Sequence, residues 1–120
     1  MAVHELEVSV RERGRVAIID LVGDVDSGGE AALQRAYDEA TSEPRPIALN
    51  FSGTDYINST GIALIVGLLA QARAGGVQIT AFGLTDHYRE IFEITRLADF
   101  MTIADNENGA VEGAERSNHA

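Results

Sequence analysis

The chain has 120 residues, 19 acidic against 9 basic side chains, a net charge of -10, 45% hydrophobic residues and no cysteine. That length suits one domain with its own core, and the apolar fraction excludes a disordered chain. The acidity argues against direct binding to nucleic acid or an anionic membrane and suits a protein partner with a basic surface, while the missing cysteines exclude disulfides and thiol chemistry.

Polar residues His4, Glu5 and Glu7 break any leader-like opening. Residues 62–70 are too few to span a bilayer. A cytoplasmic protein is therefore expected. Residues 6–10 alternate apolar and polar, as a half-buried strand does. Arg11, Arg13 and Arg15 surround Gly14 in what reads as a solvated hairpin turn. Residues 16–23 form a more continuously apolar strand, which places it centrally. Ser27 and Glu30 have the spacing of a capping box. After them Leu33, Ala36, Tyr37 and Ala40 make one helical stripe, ended by Pro44 and Pro46.

The next strand, 46–49, leads into Asn50-Phe51-Ser52-Gly53-Thr54-Asp55-Tyr56-Ile57-Asn58-Ser59-Thr60-Gly61-Ile62, and this stretch organises the chain. Residues 62–70 are apolar on every face and are expected inside the core. Asn58 or Ser59 is a natural N-cap for that helix. A hydroxyl there sits in the positive end-field of the helix, a suitable place for a phosphate. A plain N-cap is the commoner meaning of such residues.

Gly75 and Gly76 end the helix, residues 77–83 alternate as a strand, and Thr85 or Asp86 caps a helix carrying Tyr88, Ile91 and Phe92. Residues 100–104 read as a last short strand. The acidic, glycine-containing remainder gives a domain over 1–111 and a disordered tail over 112–120. Strand–helix alternation after two antiparallel strands implies an α/β fold, a mixed sheet of four to five strands with three to four helices packed on it.

No catalytic apparatus assembles. His4, His87 and His119 are far apart and lack metal-ligand spacing, so neither a metal nor another cofactor is expected. Ser59 has no nucleophile elbow and no marked histidine base. Asp24 and Asp26 suit a strand-to-helix turn, and they also stand at a strand's carboxyl end, where open α/β sheets place sites.

Three features in order now carry a resemblance: Gly23-Asp24-Val25-Asp26, the strand ending Ala48-Leu49-Asn50-Phe51-Ser52, and Tyr56-Ile57-Asn58-Ser59-Thr60-Gly61-Ile62. Over residues 3–111 the chain resembles a STAS domain of the anti-sigma factor antagonist type. The resemblance implies a non-enzymatic switch. Ser59 would be phosphorylated by an anti-sigma factor serine kinase of the GHKL type and dephosphorylated by a PP2C-type phosphatase. The unphosphorylated form would bind the kinase and free a sigma factor. Thr60 is the second choice of phosphosite. Asp24, Asp26, Asp55, Asn58, Ser59, Thr60 and Gly61 are the expected partner-binding residues. Many phosphorylatable members carry Asp before the serine, where this chain has Asn58. The alternatives are an unphosphorylated STAS scaffold subunit, in a signalling or lipid-transport ATPase complex, and a small-ligand or nucleotide-binding module. Whether the chain is a monomer or a weak dimer stays open.

Overall fold

The computed structural model describes residues 5–117, so His4 and His119 lie outside the described residues. The elements are β1 (Glu7–Arg13), β2 (Val16–Val22), α1 (Glu30–Ala40), β3 (Ile47–Gly53), α2 (Ser59–Gly75), β4 (Ile79–Phe82), α3 (Asp86–Ile94), β5 (Thr102–Ile103) and α4 (Glu107–Ser117). They build one five-stranded sheet in the order β1-β2-β3-β4-β5. β1 runs antiparallel to β2, and every later pair is parallel. This is the mixed α/β sheet expected from the alternation of elements.

The sheet is covered on both faces, as its central strands require. β2 is buried over Val16, Ala17, Ile18 and Ile19, and all four residues of β4 are buried. Side chains alternate between faces along a strand, so burial of consecutive residues needs a layer on each side. One set, Ala17, Ile19 and Leu21, packs into the main core with residues of α1, α2 and α3. There Phe51 of β3 meets Phe92 of α3 edge to face, ring centres 5.8 Å apart. The other set, Val16, Ile18, Ala48 and Phe82, packs under Ala110, Val111 and Ala114 of α4.

Helix α4 corrects the sequence reading, which ended the domain at Val111 and expected a disordered tail over 112–120. The described part of that tail, up to residue 117, continues α4, whereas residues 118–120 lie outside the described residues. Asn106 starts the helix, its side-chain oxygen accepting from the Gly109 N–H at 2.8 Å. Arg11 and Arg13 hold the helix to the sheet edge. They belong to β1 and not to a solvated turn, which is reduced to Gly14 and Arg15. Glu107 accepts from Arg11 at 2.6 Å and from Arg13 at 2.8 Å. Arg11 also pairs with Asp20 at 2.7 Å. The hydrogen bond from Arg11, helped by Arg13 and opposed by burial, pulls the Glu107 carboxyl down to about 2. Burial pushes the Asp20 carboxyl up, but hydrogen bonds from Arg11 and Asn50 outweigh it and hold Asp20 below its ordinary value.

Two further expectations change. Ser27 and Glu30 form no capping box: Asp26 caps a 3-10 turn over Ser27–Gly29, accepting from the Gly28 N–H at 3.0 Å, and α1 starts after it. Helix α2 is not buried all round. Ile65, Leu68, Leu69 and Ala72 face the core, while Val66, Gly67 and Ala70 are exposed. No described helix is long and apolar enough to cross a membrane.

Candidate functional site at the start of α2

β2 and β3 are parallel neighbours, so both chain segments leave the sheet at the same end. The segment after β2 carries Asp24 and Asp26, and the segment after β3 carries Asp55, Asn58 and Ser59. Backbone bonds stitch the two together. The Gly23 N–H donates to the Gly53 carbonyl at 3.0 Å, the Val25 N–H to Tyr56 at 2.9 Å, and the Asn58 N–H to Val25 at 3.2 Å. Val25 and Ile57 form an isolated parallel bridge. Gly23 has a φ of 111°, a conformation that favours glycine and turns the chain sharply out of β2.

Asn58, and not Ser59, is the N-cap. Its backbone is extended, and its side-chain oxygen accepts from the Gly61 N–H at 2.8 Å and from the Thr60 hydroxyl at 2.7 Å. One carboxamide oxygen thus satisfies an orphan donor of the first turn and anchors the neighbouring hydroxyl. Ser59 occupies the first helical position and is exposed. Among the described residues its hydroxyl has no hydrogen-bond partner. The two candidate hydroxyls are therefore distinguished: that of Thr60 is engaged and that of Ser59 is available. No acidic side chain occupies the first turn of α2 to neutralise its end-field.

Gly61 explains the closeness of the two segments. A Cβ there would lie 2.0 Å from the Val25 carbonyl oxygen. The first turn of α2 rests directly on the backbone of the Asp24–Asp26 segment. Asp24 and Asp26 are half-buried around this contact, and Asp55 is exposed on the connection from β3. The sequence-predicted residues are thus gathered on two stitched segments, with Asp26 occupied in capping its own turn.

Sequence reasoning missed one member of the arrangement. The hydroxyl of Tyr88, on α3, accepts from the Ile57 N–H at 2.9 Å. Tyr88 was expected only as part of an apolar face. It is buried, and a buried tyrosine hydroxyl needs a polar partner, which is the signal that could have marked it. Thr85 caps α3 by accepting from the Tyr88 N–H, so the loop before α2 is tied to a second helix start. Val22 and Tyr56, both 51% exposed, leave apolar surface on the two segments. Among the described residues no three His, Asp or Glu side chains converge in a way that would hold a metal. The geometry leaves an exposed, unengaged hydroxyl at the start of α2, on two segments joined by backbone hydrogen bonds.

Comparison with known proteins agrees with this reading of the fold. Over 116 residues, 96% of both chains, the protein is 26% identical to an anti-sigma-B factor antagonist of Listeria monocytogenes. It is 35% identical to the anti-sigma-B factor antagonist of Staphylococcus aureus over 68 residues, 57% of this chain and 61% of that one. Its fold matches the anti-sigma factor antagonist SpoIIAA of Bacillus, solved in an unphosphorylated and a phosphorylated form. The unphosphorylated form gives a TM-score of 0.69 at 16% identity, covering 95% of this chain and 100% of SpoIIAA. The phosphorylated form gives 0.63 at 20% identity, covering 88% and 97%. These relatives are named as regulators and not as enzymes. The STAS domain model matches residues 7–110, nearly the whole described chain, and the protein belongs to the STAS domain family.

Proposed function

We propose that this protein is an anti-sigma factor antagonist switched by phosphorylation of Ser59. The carrying observation is the division of labour at the start of α2: Asn58 does the capping, Thr60 is engaged, and the Ser59 hydroxyl is exposed and unpartnered. A phosphate on Ser59 would not have to break a cap. The helix end-field favours it locally.

The sign of the switch follows from charge. Phosphorylation adds about 1.5 to 2 negative charges at neutral pH. They arrive beside the segment bearing Asp24 and Asp26, on a chain of net charge -10. A partner packed on this surface would have to desolvate the phosphate and tolerate the added repulsion, so binding weakens. The partner in this reading is an anti-sigma factor that is also a GHKL-type serine kinase. Asp24, Asp26, Asp55, Asn58, Ser59, Thr60 and Gly61 line its contact, and a PP2C-type phosphatase restores the binding form. Having Asn58 before Ser59 retains the cap without placing a carboxylate against the incoming phosphate.

Phosphopeptide mass spectrometry on the protein from its own cells, in growth and under stress, tests the site. Phosphate on Ser59 that varies with condition supports the reading, and phosphate on Thr60 alone overturns the assignment. Absence of phosphate in every condition returns the protein to a constitutive scaffold. Binding of the kinase-like partner tests the mechanism. Ser59→Ala should bind as the unmodified protein does, and Ser59→Asp should bind at least tenfold more weakly, about 1.4 kcal/mol. Equal affinities for the two variants refute the electrostatic switch.

A further inference from the structure

Three of the large exposed apolar side chains, Val66, Ile94 and Phe100, stand away from Ser59, around the second half of α2 and the end of α3. Val66, Leu69, Ala70, Leu97 and Phe100 line a groove of about 280 Å³ there. Arg73 completes its rim, its guanidinium 5.5 Å from the centre of the Phe100 ring. Arg73 lies fourteen residues beyond Ser59 on the same helix, roughly 21 Å along its axis. The groove's near edge, at Val66, lies seven residues from Ser59, roughly 10 Å along the same helix.

The charges around it are sorted in a particular way. Asp99, the nearest acidic neighbour in sequence to Phe100, is held by Arg96 at 2.8 Å. The Thr95 hydroxyl at the groove wall donates to the Ile91 carbonyl at 2.7 Å. Arg73 is one of four arginines, with Arg15, Arg35 and Arg116, that make no ion pair among the described residues, and the only one of the four that lines this groove. The wall itself is built at a cost. Arg96 is the one described non-glycine residue with positive φ, at 67°. That left-handed turn, unfavourable for a residue with a side chain, precedes Leu97, which is buried in the core, and Phe100, which is 55% exposed.

We propose that this groove binds a small aliphatic carboxylate, its alkyl chain on the apolar floor and its carboxylate on the Arg73 guanidinium. At the ~30 Å³ a water molecule occupies in the liquid, the groove takes roughly nine non-hydrogen atoms, the size of a chain of about eight to ten carbons. The ligand brings one negative charge to one unpaired cation, and hydrocarbon to an apolar floor. A second copy of the chain would bring ten negative charges against ten. An anionic bilayer meets the same repulsion over a wider surface.

Titrating the ¹⁵N-labelled protein with decanoate, decanol or decyltrimethylammonium, each below its micelle concentration, tests the proposal. Decanoate should give saturable shifts confined to the amides of Val66, Ala70, Thr95 and Phe100. Arg73→Gln, whose side chain is exposed, should weaken decanoate about fivefold to tenfold and leave decanol unchanged. Ammonium binding as tight as decanoate, absent or non-saturating shifts, or an unaltered decanoate affinity in Arg73→Gln each overturns it. So do shifts of the same amides with protein concentration alone, which would assign the groove to a second copy.

Discussion

The same substitution at two glycines of α2 should act in opposite directions. Gly67 is exposed at mid-helix, and a Cβ there meets nothing within 4 Å. Gly67→Ala should therefore stabilise the protein by about 0.5–1 kcal/mol, the ordinary helix-propensity gain. At Gly61 the added Cβ falls 2.0 Å from the Val25 carbonyl oxygen and 2.7 Å from its carbon, where ordinary contact begins at 3.4 Å. The carbonyl cannot simply retreat, because it accepts from the Asn58 N–H at 3.2 Å. Either that bond is lost, at about 1 kcal/mol, or the first turn moves off the segment, with an overpacking cost of about 1–3 kcal/mol. After the propensity gain, Gly61→Ala should lose about 2 kcal/mol, so the two variants differ by about 3. Urea unfolding followed by circular dichroism measures both. With about 4 °C per kcal/mol for a domain of this size, the melting temperature should fall by about 8 °C in Gly61→Ala and rise by about 3 °C in Gly67→Ala. If Gly61→Ala is as stable as Gly67→Ala, the close approach of α2 to Val25 is refuted.

Val111→Asp should cost about 2–4 kcal/mol in urea unfolding, because it puts a carboxylate under α4 against the second face of the sheet. Tyr88→Phe should cost about 1 kcal/mol and speed hydrogen exchange at the Ile57 amide, which loses its acceptor. Glu107→Gln carries a pH signature. The folded-state pKa of Glu107 is depressed to about 2 from 4.5, so its contribution is present above about 4.5 and is lost as pH falls towards 2. Wild type should exceed Glu107→Gln by about 1 kcal/mol at pH 7, a value discounted for the partly exposed arginines. The gap should close between pH 4.5 and 2. A gap independent of pH would remove the ion pair as its cause.

The order of strands and the first three helices was legible because each announces itself through apolar period and through Gly or Pro punctuation. The stripe of Leu33, Ala36, Tyr37 and Ala40 is buried as its spacing implies. Gly76 ends α2 in the left-handed conformation, φ 70°, that its position suggested. Helix α4 was hidden because its buried face is built of Ala110, Val111 and Ala114, too small to stand out among acidic and glycine neighbours. A clue lay elsewhere: residues 16–19 are apolar without alternation, which already calls for a layer on both faces. The capping box failed because Asp26, one residue earlier, caps the chain at the Gly28 N–H and Ser27 lies inside the 3-10 turn that this starts. At the site, the gathering of two segments rests on long-range backbone bonds that no local pattern encodes. The Asn58 side chain, read only as one of two capping candidates, decides which hydroxyl remains available.

The placement of α4 has a consequence for how the chain is made. Phe82 leaves the ribosome twenty-five residues before Glu107, the first residue of the helix that covers it. At about 5–20 residues per second, the growing chain spends roughly one to five seconds with that face of its first four strands uncovered. During that interval Val16, Ile18, Ala48 and Phe82 offer a greasy face to any neighbouring nascent chain. That face closes only when α4 is made, and the arginines of β1 that hold the helix are among the first residues synthesised.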